Sequence, residues 1–446
     1  MTEKGKRWKR AVTLGMAAVC GFAFAGCVQG KSTLLAKPAT AERLSFSERT
    51  EEFAGYLTAA QQFAAKFADG VYQKQTAKGE TGNLAVSPVS VFTALSLAAE
   101  CAAGETRAEI LAALGVTYAR LQTHSSTLYR ALNVEHRSSG YFGEDVNTGS
   151  LRLTNSIWLD TQATPKQTCI QTLAEKHYCY SYHADFAKDN RAANQALRSF
   201  VKEKTNGLID RDFQLNTETL FALVNTLYLK ALWNADGDEL PWAEGEYDFQ
   251  QADGEKTQTR LLQGYYSMGR AYEGDNFTSF YQSANGGYQI HFLVPNEGVS
   301  VGEVFTEETL LALDGVDDYR AVDDEAKTRY YTRCLFPEYT AAFDDDVIDV
   351  LKETFALNTL FNGSACDFSA LTDDLAYCDE VRHVTQLTVD RKGIEGAAVT
   401  VMHGAGDSGP DEYKEVYLDF VVNRAFAFVI QDGYGVTLFS GVVNEE

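Results

Sequence analysis

The chain has 446 residues, 45% of them hydrophobic, with 26 Phe and 23 Tyr, enough apolar volume for a large core in one big domain or two. A net charge of −23 argues against nucleic acid as a partner and against electrostatic attachment to anionic lipid. Helical and strand patterns are mixed throughout, with no regular βαβ order and no internal repeat, so the expected class is α+β.

Residues 1–26 read as an export signal outside the fold. Lys4, Lys6, Arg7, Lys9 and Arg10 form a basic start. The apolar run from Ala11 to Ala25 is about 15 residues, short for a bilayer span. Ala25-Gly26 before Cys27 resembles the end of a bacterial lipoprotein signal, with Phe24 where leucine is usual. That resemblance implies cleavage before Cys27, lipid on its thiol and anchoring on the outer face of a bacterial membrane. The alternative is an ordinary secretory signal with an incidental cysteine, and a secreted protein. Without residues 1–26 the net charge becomes about −27, an acidic surface suited to a soluble domain held just outside a membrane. Residues 27–50, rich in Lys, Ser, Thr and Ala without periodicity, read as a flexible tether. The folded part is expected over 51–446.

Six cysteines lie beyond Cys27: Cys101, Cys169, Cys179, Cys334, Cys366 and Cys378. Their scatter is not a dense disulfide framework. Export permits disulfides, no pairing follows from the spacing, and several are expected to be buried thiols.

Phe53, Tyr56, Leu57, Ala60, Phe63, Ala64 and Phe67 recur at helical spacing, so an amphipathic helix is predicted from Glu51 to Tyr72. A short strand at Asn83–Val86 then runs into a helix opening at Ser87-Pro88, a helix-start signature. Thr106–Leu114 is a further helix, closed by Gly115. Leu151–Leu159 reads as a strand. His177, Cys179, His183 and Asp185 could be metal ligands on paper; a strand and loop ending in Asp185-Phe186 is the reading adopted, and no metal or cofactor is expected. A helix follows over 194–207. Ala222–Leu229 is a near-continuous apolar run, read as a strand buried on both faces. Residues 243–299 read as hairpins. Asp344-Asp345-Asp346 reads as a solvated helix start.

The last quarter of the chain holds its most unusual stretch. Val389 ends a strand, and Ile394 through Gly406 then carries one formal charge, Glu395. Its even positions are Ile394, Gly396, Ala398, Thr400, Met402, Gly404 and Gly406, small or apolar throughout. Alternate residues of a strand share a face, so one face could be buried. The glycines and Asp407-Ser408-Gly409-Pro410-Asp411 are loop signals. The segment can be a loop and can also be a strand. A structureless loop of roughly 20 residues is uncommon and usually functional.

Gly393-Ile394-Glu395-Gly396-Ala397-Ala398-Val399-Thr400 resembles the hinge of the serpins, with Ile394 for a common Thr or Ser and Arg391 where Glu is usual. Asn83 to Leu114 resembles the serpin pattern Asn…Ser-Pro-x-Ser, an Ala/Leu-rich helix, and a Gly-x-Thr helix start. Thr205-Asn206-Gly207, Val224-Asn225 with Trp233, Phe336-Pro337-Glu338-Tyr339, Phe361…Asp367-Phe368-Ser369, Leu418–Phe428 and Val436–Val443 follow in family order. Ala425 stands for the usual proline. The resemblance spans about 51–446 and implies a serpin-like fold: three β-sheets, about eight or nine helices and an exposed reactive-centre loop at about 391–418.

It also implies a polar shutter at Ser87, Ser90, Asn225 and His383, and a breach tryptophan at Trp233. Such groups can re-pair when strands part, so a buried region opens without orphaned polar atoms. The implied mechanism is suicide inhibition. A serine protease attacks the loop and forms an acyl ester, and residues from Ile394 to about Asp407 then insert as a new strand. About 15 new backbone hydrogen bonds at ~1 kcal/mol each release on the order of 10–20 kcal/mol, which distorts the protease before deacylation. Counting from the hinge places the scissile bond at Asp407-Ser408; counting back from Phe426 gives Lys414-Glu415. The hinge count is favoured, because the inserted length must match the sheet. Acid at the cut suits an aspartate-preferring protease, and the surrounding Gly and Ala suit an elastase- or subtilisin-like one. The partners implied are a serine protease and, through Cys27, a membrane, with the protein itself a monomer.

A non-inhibitory serpin-fold carrier or binder is the alternative. An enzyme reading rests on Gly406-Asp407-Ser408-Gly409-Pro410, which looks like the nucleophile motif of trypsin-like proteases. None of the 7 histidines lies in the Ala-Ala-His-Cys context such enzymes carry, so no catalytic residue is expected.

Overall fold

The computed structural model describes residues 32–139, 145–234, 238–313, 321–378, 380–394 and 413–446. Its architecture is mixed α+β, with nine α-helices among the described residues and three sheet regions: front, back and top.

The helix Glu51–Lys78 is longer than its apolar periodicity predicts. Thr50 caps its start by accepting from the Phe53 amide, and Gly79, at φ 79°, ends it with its own N–H on the Gln75 and Thr76 carbonyls. The helix Pro88–Cys101 is buried around almost its whole circumference and packs against both the Phe221–Leu232 and Thr437–Val443 strands. It is therefore the central pillar between two sheet faces. Ser87 stands at its cap position, but its hydroxyl makes no cap hydrogen bond. That hydroxyl lies 3.0 Å from Ser90 Oγ instead.

The front sheet runs Ser32–Ala36, Cys179–Ala184, Asp145–Asp160, Phe221–Leu232, Gly393–Ile394, Arg382–Val389, Tyr339–Asp346. It turns a corner at the short strand Leu84–Val86 into the back strands Thr437–Val443, Phe426–Gln431, Tyr288–Pro295 and Phe277–Ala284. At the top, Thr328–Phe336 pairs in parallel with Lys414–Val421 and antiparallel with Ser267–Met268.

Three expectations need correction. The stretch expected as a tether carries structure from Ser32 onward. Ser32–Ala36 pairs with the edge strand Cys179–Ala184, Ala39 donates to the Ala174 carbonyl at 3.2 Å, and Leu44 is buried in the main core. Its short polar residues hide this, because edge pairing uses backbone groups that any sequence supplies. Residues 222–225, expected buried on both faces, are half-buried. Asp344–Asp346 ends a strand, and the next helix begins at Ile348.

Cys101, Cys169, Cys179 and Cys334 are buried thiols. Among the described residues no group of three or more His, Cys, Asp or Glu is arranged to hold a metal, and no helix is long and apolar enough to cross a membrane.

Candidate functional site

The front sheet has a seam. Phe221–Leu232 pairs with Asp145–Asp160 from Phe221 to Ala231, but among the described residues its other edge pairs only at Ala231 and Leu232, with Ile394 and Gly393. Arg382–Val389 pairs with Tyr339–Asp346 along its full length; on its other edge, among the described residues, only Val389 pairs, with Ile394. Among the described residues no β pairing joins 221–230 to 382–388. Two strand edges thus face each other with backbone donors and acceptors that no described residue pairs, closed at one end by a two-residue wedge.

The wedge is the start of the segment that resembles the serpin hinge. Gly393 and Ile394 are both buried, and Ile394, 0% exposed, belongs to the main core cluster. A β-branched apolar residue fits a pleated, enclosed position, so the departure from the usual Thr is accommodated. The other hinge residues Glu395, Gly396, Ala397, Ala398, Val399 and Thr400, the bond Asp407-Ser408, and Cys27 lie outside the described residues. Lys414 and Glu415, the other candidate bond, open a strand: they pair with Thr328 and Arg329, and the Lys414 amide donates to the Lys327 carbonyl at 2.8 Å.

Trp233 holds the turn that feeds the wedge. Its indole Nε1 donates to the Asp390 carbonyl at 2.7 Å and its amide to the Lys392 carbonyl at 3.1 Å. The ring is buried and lies edge-on to Phe336 at 5.7 Å. One Asp390 carboxylate oxygen accepts from the amides of Lys392 at 2.7 Å and Gly393 at 3.1 Å, which fixes the turn. Arg391 is part of the same anchor. Its amide donates to Glu338 Oε1 at 2.9 Å, its Nε to the Leu240 carbonyl at 3.1 Å, and its guanidinium pairs with Glu239 at 2.7 Å. A glutamate here would repel Glu239 and could donate nothing to Leu240, so arginine suits these neighbours.

Below the seam the structure joins Ser87, Ser90 and His383. The Ser87 amide donates to His383 Nε2 at 3.0 Å, and the ring sits among Phe67 and Phe343 with centroids 5.8 Å away. Burial pushes the imidazole pKa down to about 3, so it is neutral with Nε2 as acceptor. Asn225 bonds elsewhere: its Nδ2 donates to Asn155 Oδ1 at 2.7 Å, and Asn155 Nδ2 donates to the His177 carbonyl at 2.7 Å. Asn225 Oδ1 and Thr226 Oγ1 are buried without a hydrogen-bond partner among the described residues. Sequence reasoning missed Asn155 and Thr385, whose hydroxyl donates to the Ala85 carbonyl. An asparagine inside the apolar run Leu151–Leu159 was the available signal for the first; Thr385 has none, because threonine is ordinary in strands.

The arrangement can admit a strand. Insertion would satisfy both open edges and move the shutter groups without leaving them in an apolar void.

Comparison with known proteins bears on this geometry. The family model described as serpin (serine protease inhibitor) matches residues 59–445. Alpha-1-antiproteinase S of Cavia porcellus is 24% identical over 380 residues, covering 82% of this chain and 85% of that protein. Serpin-Z7 of Hordeum vulgare is 27% identical over 381 residues, covering 81% and 89%. Among solved structures, the thermophilic serpin tengpin in its native state superposes with a TM-score of 0.70 at 20% identity, covering 93% of this chain and 100% of that one. Human thyroxine-binding globulin in complex with thyroxine gives 0.66 at 20% identity, covering 87% and 99%. At such identity the structures speak for the fold alone.

Proposed function

The chain belongs to the serpin family, and from that premise we propose that it is a suicide inhibitor of serine proteases, not an enzyme. The observation that carries this reading is the seam: two facing strand edges without a ladder, with Gly393 and Ile394 already paired to both at one end. The rest of the hinge needs only to continue the pairing that these two residues begin.

The protease serine attacks the Asp407 carbonyl, the bond to Ser408 breaks, and the acyl ester forms at Asp407. Residues 395–407 then enter the seam. Thirteen residues at about 3.3 Å each give a strand of roughly 43 Å, close to what the 12-residue strand Phe221–Leu232 spans. Gly396, Ala398, Thr400 and Met402 share the face of Ile394 and turn toward the core. The outward face takes Glu395. Lys414-Glu415 is the poorer candidate, because a protease binds its substrate as an extended exposed segment and these residues are held in a strand.

The signal pattern at 1–26 supports display on the outer face of a bacterial membrane through a lipidated Cys27, with secretion as the outcome if the thiol stays unmodified. The target is elastase-like, subtilisin-like or acid-preferring, and the inhibitor acts as a monomer. Neither nucleic acid nor a cofactor has a part in this mechanism.

The test mixes residues 28–446 with a panel of such proteases, followed by denaturing electrophoresis and mass spectrometry of the released C-terminal peptide. An SDS-resistant complex with a peptide beginning at Ser408 is expected. A peptide beginning at Glu415 would move the bond. Cleavage of the loop by every protease, with no complex and no gain in thermal stability, would replace this reading with a carrier or binder.

A further inference from the structure

The strand that receives the C-terminal end of the loop carries an exposed aromatic surface. Met268, Tyr331 and Tyr417 are register partners across three adjacent strands of the top sheet, so their side chains share one face. Met268 is 52% exposed and Tyr417 55%. The Tyr331 and Tyr417 rings stack at 5.3 Å, and Tyr266 meets Tyr417 edge-on at 5.0 Å. The guanidinium of Arg333 lies 5.0 Å from the Tyr266 ring. Alternate residues such as Thr332, Cys334 and Phe420 point into the core, so this face is the outer one.

The guanidinium beside the patch is already matched, and the neighbouring Glu415 carboxylate is hydrogen-bonded. Arg333 binds Asp419 through two hydrogen bonds of 2.6 and 3.2 Å, and the Tyr417 hydroxyl donates to Glu415 at 2.7 Å. The rings are locked by stacking, and Arg333 and Asp419 need no new counter-ion. Such a surface loses little side-chain freedom when covered, and tyrosine, arginine and methionine are the residue types enriched where protein partners bury their contacts.

Position selects the occupant. Only 408–413 separate the proposed scissile bond from Lys414, at most about 22 Å of extended chain. A protease catalytic domain roughly 40 Å across, engaged at that bond, overhangs this strand. We infer that the face formed by Tyr266, Met268, Tyr331 and Tyr417 is a second docking surface for the target protease, taking an apolar, weakly charged rim beside its active site. This rests on the inhibitor reading above. The face stays behind when the cut loop carries the protease away, so it governs the encounter and not the durability of the trapped complex. With Arg333 and Asp419 paired internally, it acts by aromatic burial more than by steering, and its contribution changes little with salt.

The experiment compares wild type with Tyr331→Ala/Tyr417→Ala and with Met268→Glu, which leaves the stacked rings in place. The protease is whichever panel member gives an SDS-resistant complex with wild type. Association rate constants are expected to fall about ten- to a hundred-fold in both variants, with the loss similar at low and high salt and the stoichiometry of inhibition unchanged. Equal rates for all three proteins would overturn the docking surface and leave the inhibitor reading standing. No complex with wild type would overturn both. Sedimentation that shows a wild-type dimer dispersed by either variant would reassign the face to self-association and likewise overturn it.

Discussion

The backbone amide of Ser87, at the head of the central helix, donates to Nε2 of His383 on the strand above it at 3.0 Å. This bond ties the pillar to one lip of the seam, and it requires a neutral ring. The imidazole ionises near 6.5 when unfolded and near 3 here, because burial disfavours its charge. Within that window the unfolded chain binds the extra proton, so stability is full above about pH 6.5 and falls as pH drops toward 3. His291, buried and pushed down to about 4, acts in the same direction. Asp432, raised to about 6 by burial, opposes both: its contribution is lost as pH rises from 3.8 to about 6. Each histidine adds up to about 1.4 kcal/mol per pH unit. Thermal midpoints of His383→Gln are expected to match wild type within a few degrees at pH 8 and to fall less steeply toward pH 4.5. Parallel profiles would remove His383 from the acid limb.

Trp233 Nε1 on the Asp390 carbonyl fixes the turn from which the hinge departs. Trp233→Phe keeps most of the packing on Phe336 and deletes one buried hydrogen bond, leaving the Asp390 carbonyl with the Gly393 amide, at 3.2 Å, as its remaining donor among the described residues. The native form should lose about 1 kcal/mol. The turn should also yield sooner, so inhibitory activity is expected to decay faster on incubation at 45 °C as uncleaved loop inserts. Native gels and residual inhibition report this; identical decay for the two proteins would make the indole nitrogen dispensable.

Ile394 marks the entrance of the inserting segment, and at 0% exposure it tolerates no unpaired charge. Ile394→Arg should make insertion slower than deacylation. The variant is then cleaved as a substrate, with a stoichiometry of inhibition raised several-fold and little SDS-resistant complex. A wild-type yield of complex would mean that insertion does not begin at this residue.

The N-terminal segment is expected to stabilise the edge of the front sheet. Removing residues up to Arg43 would expose the strand Cys179–Ala184, which Ser32–Ala36 now covers. A protein beginning at Leu44 should unfold roughly 2–5 °C lower than one beginning at Val28 and should aggregate faster from the open edge. Calorimetry and light scattering decide this; unchanged values would make the pairing energetically silent.

Much of the fold was legible because its signals are local. Helical spacing from Phe53 to Phe67, the Ser87-Pro88 helix start, the glycine stops and the apolar strand 222–229 each depend on neighbours in sequence, and all lie where expected. Ser87, Ser90 and His383 were named from family order, and the structure brings them together. Asn225 was placed with them, yet it bonds across to Asn155, a partner 70 residues away that no local pattern announces. The anchoring of Arg391 by Glu239, Leu240 and Glu338 was hidden for the same reason.

The sequence by itself determined the class of fold, since helical and strand periodicity are local, and the order of its motifs carried the resemblance to the family and to its hinge at 393–400. Tertiary structure alone decided that the front sheet has a seam, that Ile394 already stands inside it, and that Ser32–Ala36 lies on the sheet edge. All three are backbone pairings between distant segments. Their donors and acceptors are the same at every residue, so side-chain pattern does not encode which strands meet and which are left apart.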